Sequence, residues 1–251
     1  MDERLREVPG FGECQHCPYN TSGPAELCYG CARRTIEPLA DVRCMVCDRP
    51  FSGGETTCRN PLCNRSDRWF RWNYAIAMRS GQLERAINRY KYRHMRGWAL
   101  VFGRVLSGFL EEEADIFGQF DVITASPTFT GLGGRDFDHT RRVLEQAAAE
   151  VSPWGEWPFD IEGEPVLVKT AATPTMQGHS YQERRAIAEG ELRDSLRVTR
   201  QQSIWNRRVL VYDDVFTDGH TLNEVARALR FAGAVEVCGV TLCRQPYRGQ
   251  Q

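Results

Sequence analysis

The 251-residue chain is 41% hydrophobic, enough for a packed core, and sets 32 basic against 33 acidic side chains for a net charge of −1. That balance excludes a uniformly basic nucleic-acid binder and leaves room only for a local basic patch. No stretch approaches the roughly 20 apolar residues that span a bilayer, so membrane insertion is not expected, and residues 1–12 are too charged for a secretion signal, which points to a cytoplasmic protein.

Eight of the ten cysteines fall within residues 14–63, as Cys14-x2-Cys17, Cys28-x2-Cys31, Cys44-x2-Cys47 and Cys58-x4-Cys63. In a cytoplasmic chain such pairs read as metal ligands rather than disulfides. Two thiolates on one tight turn grip a tetrahedral zinc, and two pairs close a four-sulfur site, so two structural zinc sites are expected. The simplest assignment joins Cys14, Cys17, Cys28 and Cys31, then Cys44, Cys47, Cys58 and Cys63; the spacing also admits a cross-braced pairing, or His16 in place of one ligand. Turn formers crowd this segment and apolar residues are few, so metal would supply the missing stability. Residues 1–67 therefore read as a zinc-binding module and 68–251 as the main domain.

Residues 67–74 interleave Arg68 and Arg71 with Trp69, Phe70, Trp72 and Tyr74. Such a mixture can stack nucleobases and neutralise phosphates, but the favoured reading is a strand over 69–78 packing aromatics on the core. Leu83, Ala86, Ile87 and Tyr90 have helical spacing. The helix closes on the most basic stretch of the chain, where Lys91 and Arg93 are candidate contacts to pyrophosphate or nucleic acid, a solvated helix end being the alternative. A second helix is predicted over 98–113, with the glutamates at its end in solvent.

Residues 120–125 predict a short buried strand, followed by Ser126, Pro127 and Thr128 at its carboxyl end. Ligands of open α/β sheets bind outside those ends. Gly131, Gly133, Gly134 and Arg135 make a loop there that lets backbone approach an anion and pairs it with a guanidinium. A helix over 140–151 and a strand over 165–169 follow. Residues 170–202 hold few apolar residues but carry Arg184, Arg185, Arg193, Arg197 and Arg200, as expected of an arginine-bearing lid or of a surface loop. The chain ends with a helix over 221–231, stopped by Gly233, and a strand over 235–242 with Cys238 and Cys243 as core residues.

Residues 209–222 carry the most chemistry. Val209, Leu210, Val211 and Tyr212 form an apolar run without alternation, the mark of a strand buried on both faces. Asp213 and Asp214 end it, a loop of Val215, Phe216, Thr217, Asp218, Gly219 and His220 follows, and Thr221 opens a helix. Free N–H groups at a helix start favour an anion, and paired acids accept hydrogen bonds from a diol or hold a divalent cation. Ribose 5-phosphate satisfies both halves.

This stretch resembles the phosphoribosyl pyrophosphate (PRPP) motif of class I phosphoribosyltransferases. The resemblance implies that Asp213 and Asp214 contact the ribose hydroxyls while residues 217–221 wrap the 5-phosphate, with Mg2+ bound alongside PRPP. Asp218 departs from the motif, which has Thr, Ser or Gly there. The order of parts along the whole chain is similar to the ComF/ComFC family of competence proteins: a multi-cysteine start, Lys91-Tyr92-Arg93, a strand ending at Pro127, an Arg135-x-Phe137 segment and the PRPP motif near the end. The usual Arg-Gly-Phe-Asn-Gln reads here Arg135-Asp136-Phe137-Asp138-His139, which makes the expected phosphate surroundings more acidic. The resemblance implies an α/β fold with a class I phosphoribosyltransferase-like parallel sheet flanked by helices and a small N-terminal zinc module. It also implies a role in DNA uptake, with single-stranded DNA and a helicase as partners; the alternative is an active phosphoribosyltransferase of nucleotide metabolism.

Overall fold

The computed structural model describes residues 11, 30, 32–150 and 156–246. The first predicted zinc site, Cys14, Cys17, Cys28 and Cys31 together with His16, lies outside these residues. A parallel four-stranded sheet forms the centre, built from β1 (Asn73–Met78), β2 (Val122–Ala125), β5 (Arg208–Phe216) and β6 (Glu236–Arg244) in the order β1-β6-β5-β2. Two further short strands, β3 (Leu167–Lys169) and β4 (Leu196–Val198), pair antiparallel in a separate two-stranded sheet. The main helices are α1 (Gly81–Tyr92), α2 (Trp98–Glu112), α3 (His139–Ala148), α4 (Tyr181–Ile187) and α5 (His220–Phe231). None among the described residues is long and apolar enough to cross a membrane.

The apolar run of β5 follows from its place in the sheet. Leu210 and Tyr212 pack with α1, α2 and α3 through Leu83, Phe102 and Val143. Val209 and Val211 pack on the opposite face with Leu222, Val225 and Leu229 of α5. A strand covered on both sides has no solvated face on which polar residues could alternate. Cys44, Cys47, Cys58 and Leu62 belong to the second of these clusters, so the described part of the cysteine-rich module shares the core of the main domain.

Several predicted boundaries shift. The aromatic strand starts at Asn73 rather than Trp69, because the Trp69 N–H goes to the side chain of Asn223, 3.0 Å away, and bonding to β6 begins only with Arg71 N–H to Val237 O. β5 does not end at the acids: it continues to Phe216, with Asp213 opposite Thr241 and Val215 opposite Cys243. The glutamates after α2 divide, Glu111 being buried and Glu112 exposed beside Arg33. Cys238 and Cys243 lie in the core as expected.

α2 and α3 approach most closely at Gly103, where a Cβ would lie 2.6 Å from Gln146 Cβ and 2.7 Å from the Ala147 backbone nitrogen. Gly103→Ala is therefore expected to lower stability by about 1–3 kcal/mol despite alanine's better helix propensity, because α3 cannot retreat without disturbing the core. Urea unfolding of the variant checks this.

Candidate functional site

The carboxyl ends of β2, β5 and β6 open on one side of the sheet, where α/β folds bind ligands. β5 leads through both acids into residues 217–219 and then α5. Gly219 makes this turn with φ 92°, and a Cβ there would lie 2.6 Å from the Phe216 ring. Both the torsion and the space require glycine. Thr217 is exposed and Thr221 half-buried at the start of α5, so the threonines frame the opening of a helix whose first N–H groups lack helical acceptors. His220 is buried, its ring 4.6 Å from that of Tyr181.

Asp218, the residue that departs from the motif, is engaged through both carboxylate oxygens, and the His220 N–H points at its Oδ1 from 3.5 Å. Arg184 donates from Nε to Asp218 Oδ2 at 2.7 Å and from Nη1 to His179 O at 2.6 Å. The acid is thus neutralised by α4, part of the predicted lid. Three more arginines of that segment are likewise engaged, Arg193 with Glu224 at 2.8 Å, Arg185 with Glu189 at 2.9 Å, and Arg200 with Asp160, while Arg197 is exposed. These pairs tie residues 184–200 down, so this part of the segment is an ion-paired cover rather than a free lid.

Asp213 and Asp214 differ sharply. Asp214 is 5% exposed, with Lys91 Nζ 2.5 Å and His139 Nε2 3.5 Å from its Oδ2. Burial disfavours its charge, but Lys91 and then His139 outweigh burial and hold its carboxyl well below the usual range. Asp213 accepts the Asp214 N–H at 2.8 Å and has no such cation; burial, then the charge of Asp214, push it up to about 7. His139 is kept below its ordinary value by burial, so its imidazole is neutral. Its Nδ1 lies 3.2 Å from the hydroxyl of Thr128, the residue after Pro127. A buried chain of Lys91, Asp214, His139 and Thr128 thus joins α1, β5, α3 and the loop after β2.

The remaining predicted contacts separate. Arg135 stacks over Tyr92 at 5.3 Å and is close enough to His139 and Lys169 to lower both. Pro127 is half-buried in the loop after β2. Arg93 is exposed, and its N–H closes α1 on Arg89 O, in keeping with a solvated helix end. Of the two unusual acids in the Arg135 segment, Asp138 caps α3 by accepting the Arg141 N–H at 3.0 Å and Asp136 faces His94 at 3.2 Å. Two participants escaped the sequence reading. His139 ends the Arg135–His139 segment, whose pattern assigns no role to that position, and Lys169, whose amine burial and Arg135 both disfavour in its charged form, is a single lysine at the end of a short strand.

The second cysteine quartet comes together as the sequential assignment expects. The sulfurs of Cys44, Cys47, Cys58 and Cys63 all lie within 4.8 Å of one another, with Cys47 and Cys58 3.8 Å apart. Zinc bound tetrahedrally with bonds near 2.3 Å places its sulfurs about 3.8 Å apart, so the donors fit one zinc ion and are too distant for disulfides. The N–H groups of Val46 and Asn60 each point at a ligand sulfur, 3.4 Å from Cys44 and Cys58 respectively, as suits thiolates. Four protein ligands leave no open position, which makes the centre structural. No protein-family model matches the chain, and no curated protein matches it.

Two outcomes follow from the unequal acids. Lys91→Met strands the Asp214 charge beside a neutral histidine and should cost about 3–5 kcal/mol at neutral pH. The loss should shrink in acid as the carboxyl takes up a proton, which unfolding curves across pH would show. Because the Asp213 pKa is raised from 3.8 to about 7, the folded protein retains a proton that the unfolded chain gives up, and stability falls through that window as pH rises. Asp213→Asn removes the penalty, so its stability relative to wild type should climb between those values and level off above them.

Proposed function

We propose that the chain binds a ribose 5-phosphate group, with PRPP and Mg2+ as its ligand, as a ComF-type phosphoribosyltransferase-domain protein. The observation that carries this reading is the sequence of parts at the end of β5: two adjacent carboxylates, a turn that only glycine can make, and the start of α5, with the misplaced acid Asp218 neutralised by Arg184. A diol and a phosphate on one small ligand match this order. Asp213 and Asp214 accept from the ribose hydroxyls, and the N–H groups and hydroxyls of residues 217–221 receive the 5-phosphate. Val215 and Phe216 carry the backbone between the two subsites.

The diphosphate of PRPP then falls toward Lys91, Arg135 and Lys169. Arg135 and Lys169 have no carboxylate ion-pair partner among the described residues, which suits a diphosphate that brings the missing negative charge. Mg2+ would be held largely by ligand oxygens, with the acids available to help. This supports a second reading, transfer: an acceptor forms a bond to C1 of the ribose while the C1–O bond to pyrophosphate breaks, and the cations stabilise the departing pyrophosphate. The ComF resemblance supports a role for the binding protein in DNA uptake, where single-stranded DNA and a helicase would be its partners.

Calorimetric titration of PRPP with Mg2+ is expected to show binding to wild type and a loss of roughly a hundredfold or more in Asp213→Asn/Asp214→Asn, which removes charged acceptors for both hydroxyls. Wild-type protein that takes up no PRPP would overturn both readings. Pyrophosphate release across purine, pyrimidine and amine acceptors separates transfer from binding.

A further inference from the structure

Arg244, the last residue of β6, is 1% exposed, the largest fully buried side chain among the described residues. Its guanidinium has no carboxylate partner. Nε donates to Cys47 O at 2.9 Å, and Nη2 points at Cys47 Sγ, 3.8 Å away. Nη1 faces the carbonyls of Phe216 at 3.1 Å, Thr217, and Gln245 at 2.8 Å. The ring of Phe216 lies under the guanidinium carbon at 5.1 Å. One buried cation therefore holds a metal ligand on one side and the start of the phosphate loop on the other.

A buried guanidinium satisfied only by neutral carbonyls is costly. Cys47, which it touches through both the carbonyl and the sulfur, fixes where the guanidinium lies. The module touches the loop at two further points. Asn60 donates from Nδ2 to Asp218 O at 2.9 Å, and Leu62 lies so close to Gly219 that an added Cβ would come within 3.1 Å of its methyl. Asn60 itself lies between the ligands Cys58 and Cys63 and caps the short 3-10 turn Pro61–Asn64. The loop is thus shaped from one side by side chains that the metal centre fixes.

We propose that Arg244 is a positioning residue that makes the shape of residues 216–221, and with it the grip on a phosphate ester, depend on an intact Cys44/Cys47/Cys58/Cys63 metal centre. The coupling to ligand rests on the ribose-phosphate reading above; the coupling of metal to loop shape does not. With metal in place Cys47 is fixed, and Arg244, held on the Cys47 carbonyl, holds the Phe216 and Thr217 carbonyls. When the metal is lost, the turn that carries Cys44 and Cys47 is no longer fixed, and the guanidinium moves with Cys47 and releases those carbonyls. Metal loss would then switch off phosphate binding without touching Asp213 or Asp214.

The test compares full-length wild type with Arg244→Met, each before and after chelation, by zinc content, amide hydrogen exchange and titration with ribose 5-phosphate. In wild type, chelation should speed exchange of the Gln245 and Asn223 amides, which donate at 2.8 Å to the loop carbonyls of Phe216 and Gly219, by roughly tenfold or more, while amides of β2 keep their protection. Arg244→Met should retain wild-type zinc, show the fast loop already before chelation, gain little more after it, and bind ribose 5-phosphate roughly tenfold more weakly. Loop exchange unchanged by chelation in wild type would overturn the proposal. So would an Arg244→Met loop that loosens on chelation as much as wild type, or one in which β2 loosens together with the loop. Should Arg244→Met not fold, Arg244→Lys, which keeps the charge but cannot fork between Cys47 and Phe216, is expected to show the same fast loop. Loss of loop protection on chelation in a wild type that binds no ribose 5-phosphate would uphold the coupling and sink the ligand reading.

Discussion

Asp214 is a carboxylate in a place where charge is costly, and its neutralisation organises the site. A buried acid either takes up a proton or acquires a cation. Asp213 tends toward the first solution and Asp214 takes the second, through Lys91 from the end of α1. That contact fixes where α1 must stop relative to β5. His139 then fills the remaining side of the carboxylate from the first turn of α3, its Nδ1 left to accept from the Thr128 hydroxyl. Two helices and a loop, distant in sequence, are placed by one acid.

The same logic explains how the chain tolerates acids where a phosphate site would seem to forbid them. Asp218, Asp136 and Asp138 each meet a specific partner: a guanidinium, an imidazole and a helix N-terminus. The partner of Asp218 is the consequential one. Arg184 sits on α4, whose capping box on Ser180 and Glu183 starts the helix at a defined residue. The acid draws the arginine-rich segment down over the loop, and a departure from the motif becomes an anchor for its cover.

How legible this was depended on whether a feature was local. β5, its acids, its glycine and α5 could be read because burial on both faces, paired charge and a positive-φ turn are written in consecutive residues. The quartet of Cys44, Cys47, Cys58 and Cys63 could be read because chelation constrains spacing. The start of β1 was misplaced because Trp69 and Phe70 have strand propensity whether or not a neighbouring strand is there to pair with them. Arg184, Arg193 and Arg200 looked like free charge because their partners, Asp218, Glu224 and Asp160, are long-range and follow no period. Lys169 and Arg244 are single residues with no motif, His139 replaces the usual Gln of one, and only the assembled fold shows what they touch.

Arg244 and Asp214 are opposite solutions to one problem at the same sheet edge. On the α1 and α3 face a buried anion is met by a lysine; beside the cysteine module a buried cation is met by backbone carbonyls and the sulfur of Cys47. Residues 216–219 run between the two. On the ribose-phosphate reading the loop receives a dianionic phosphate, which an unpaired acid nearby would repel. Pairing Asp218 with Arg184 answers that, and the N–H groups of the loop are then its donors toward a ligand. Their direction depends on the backbone carbonyls being held from behind, which is the position that the guanidinium of Arg244 occupies.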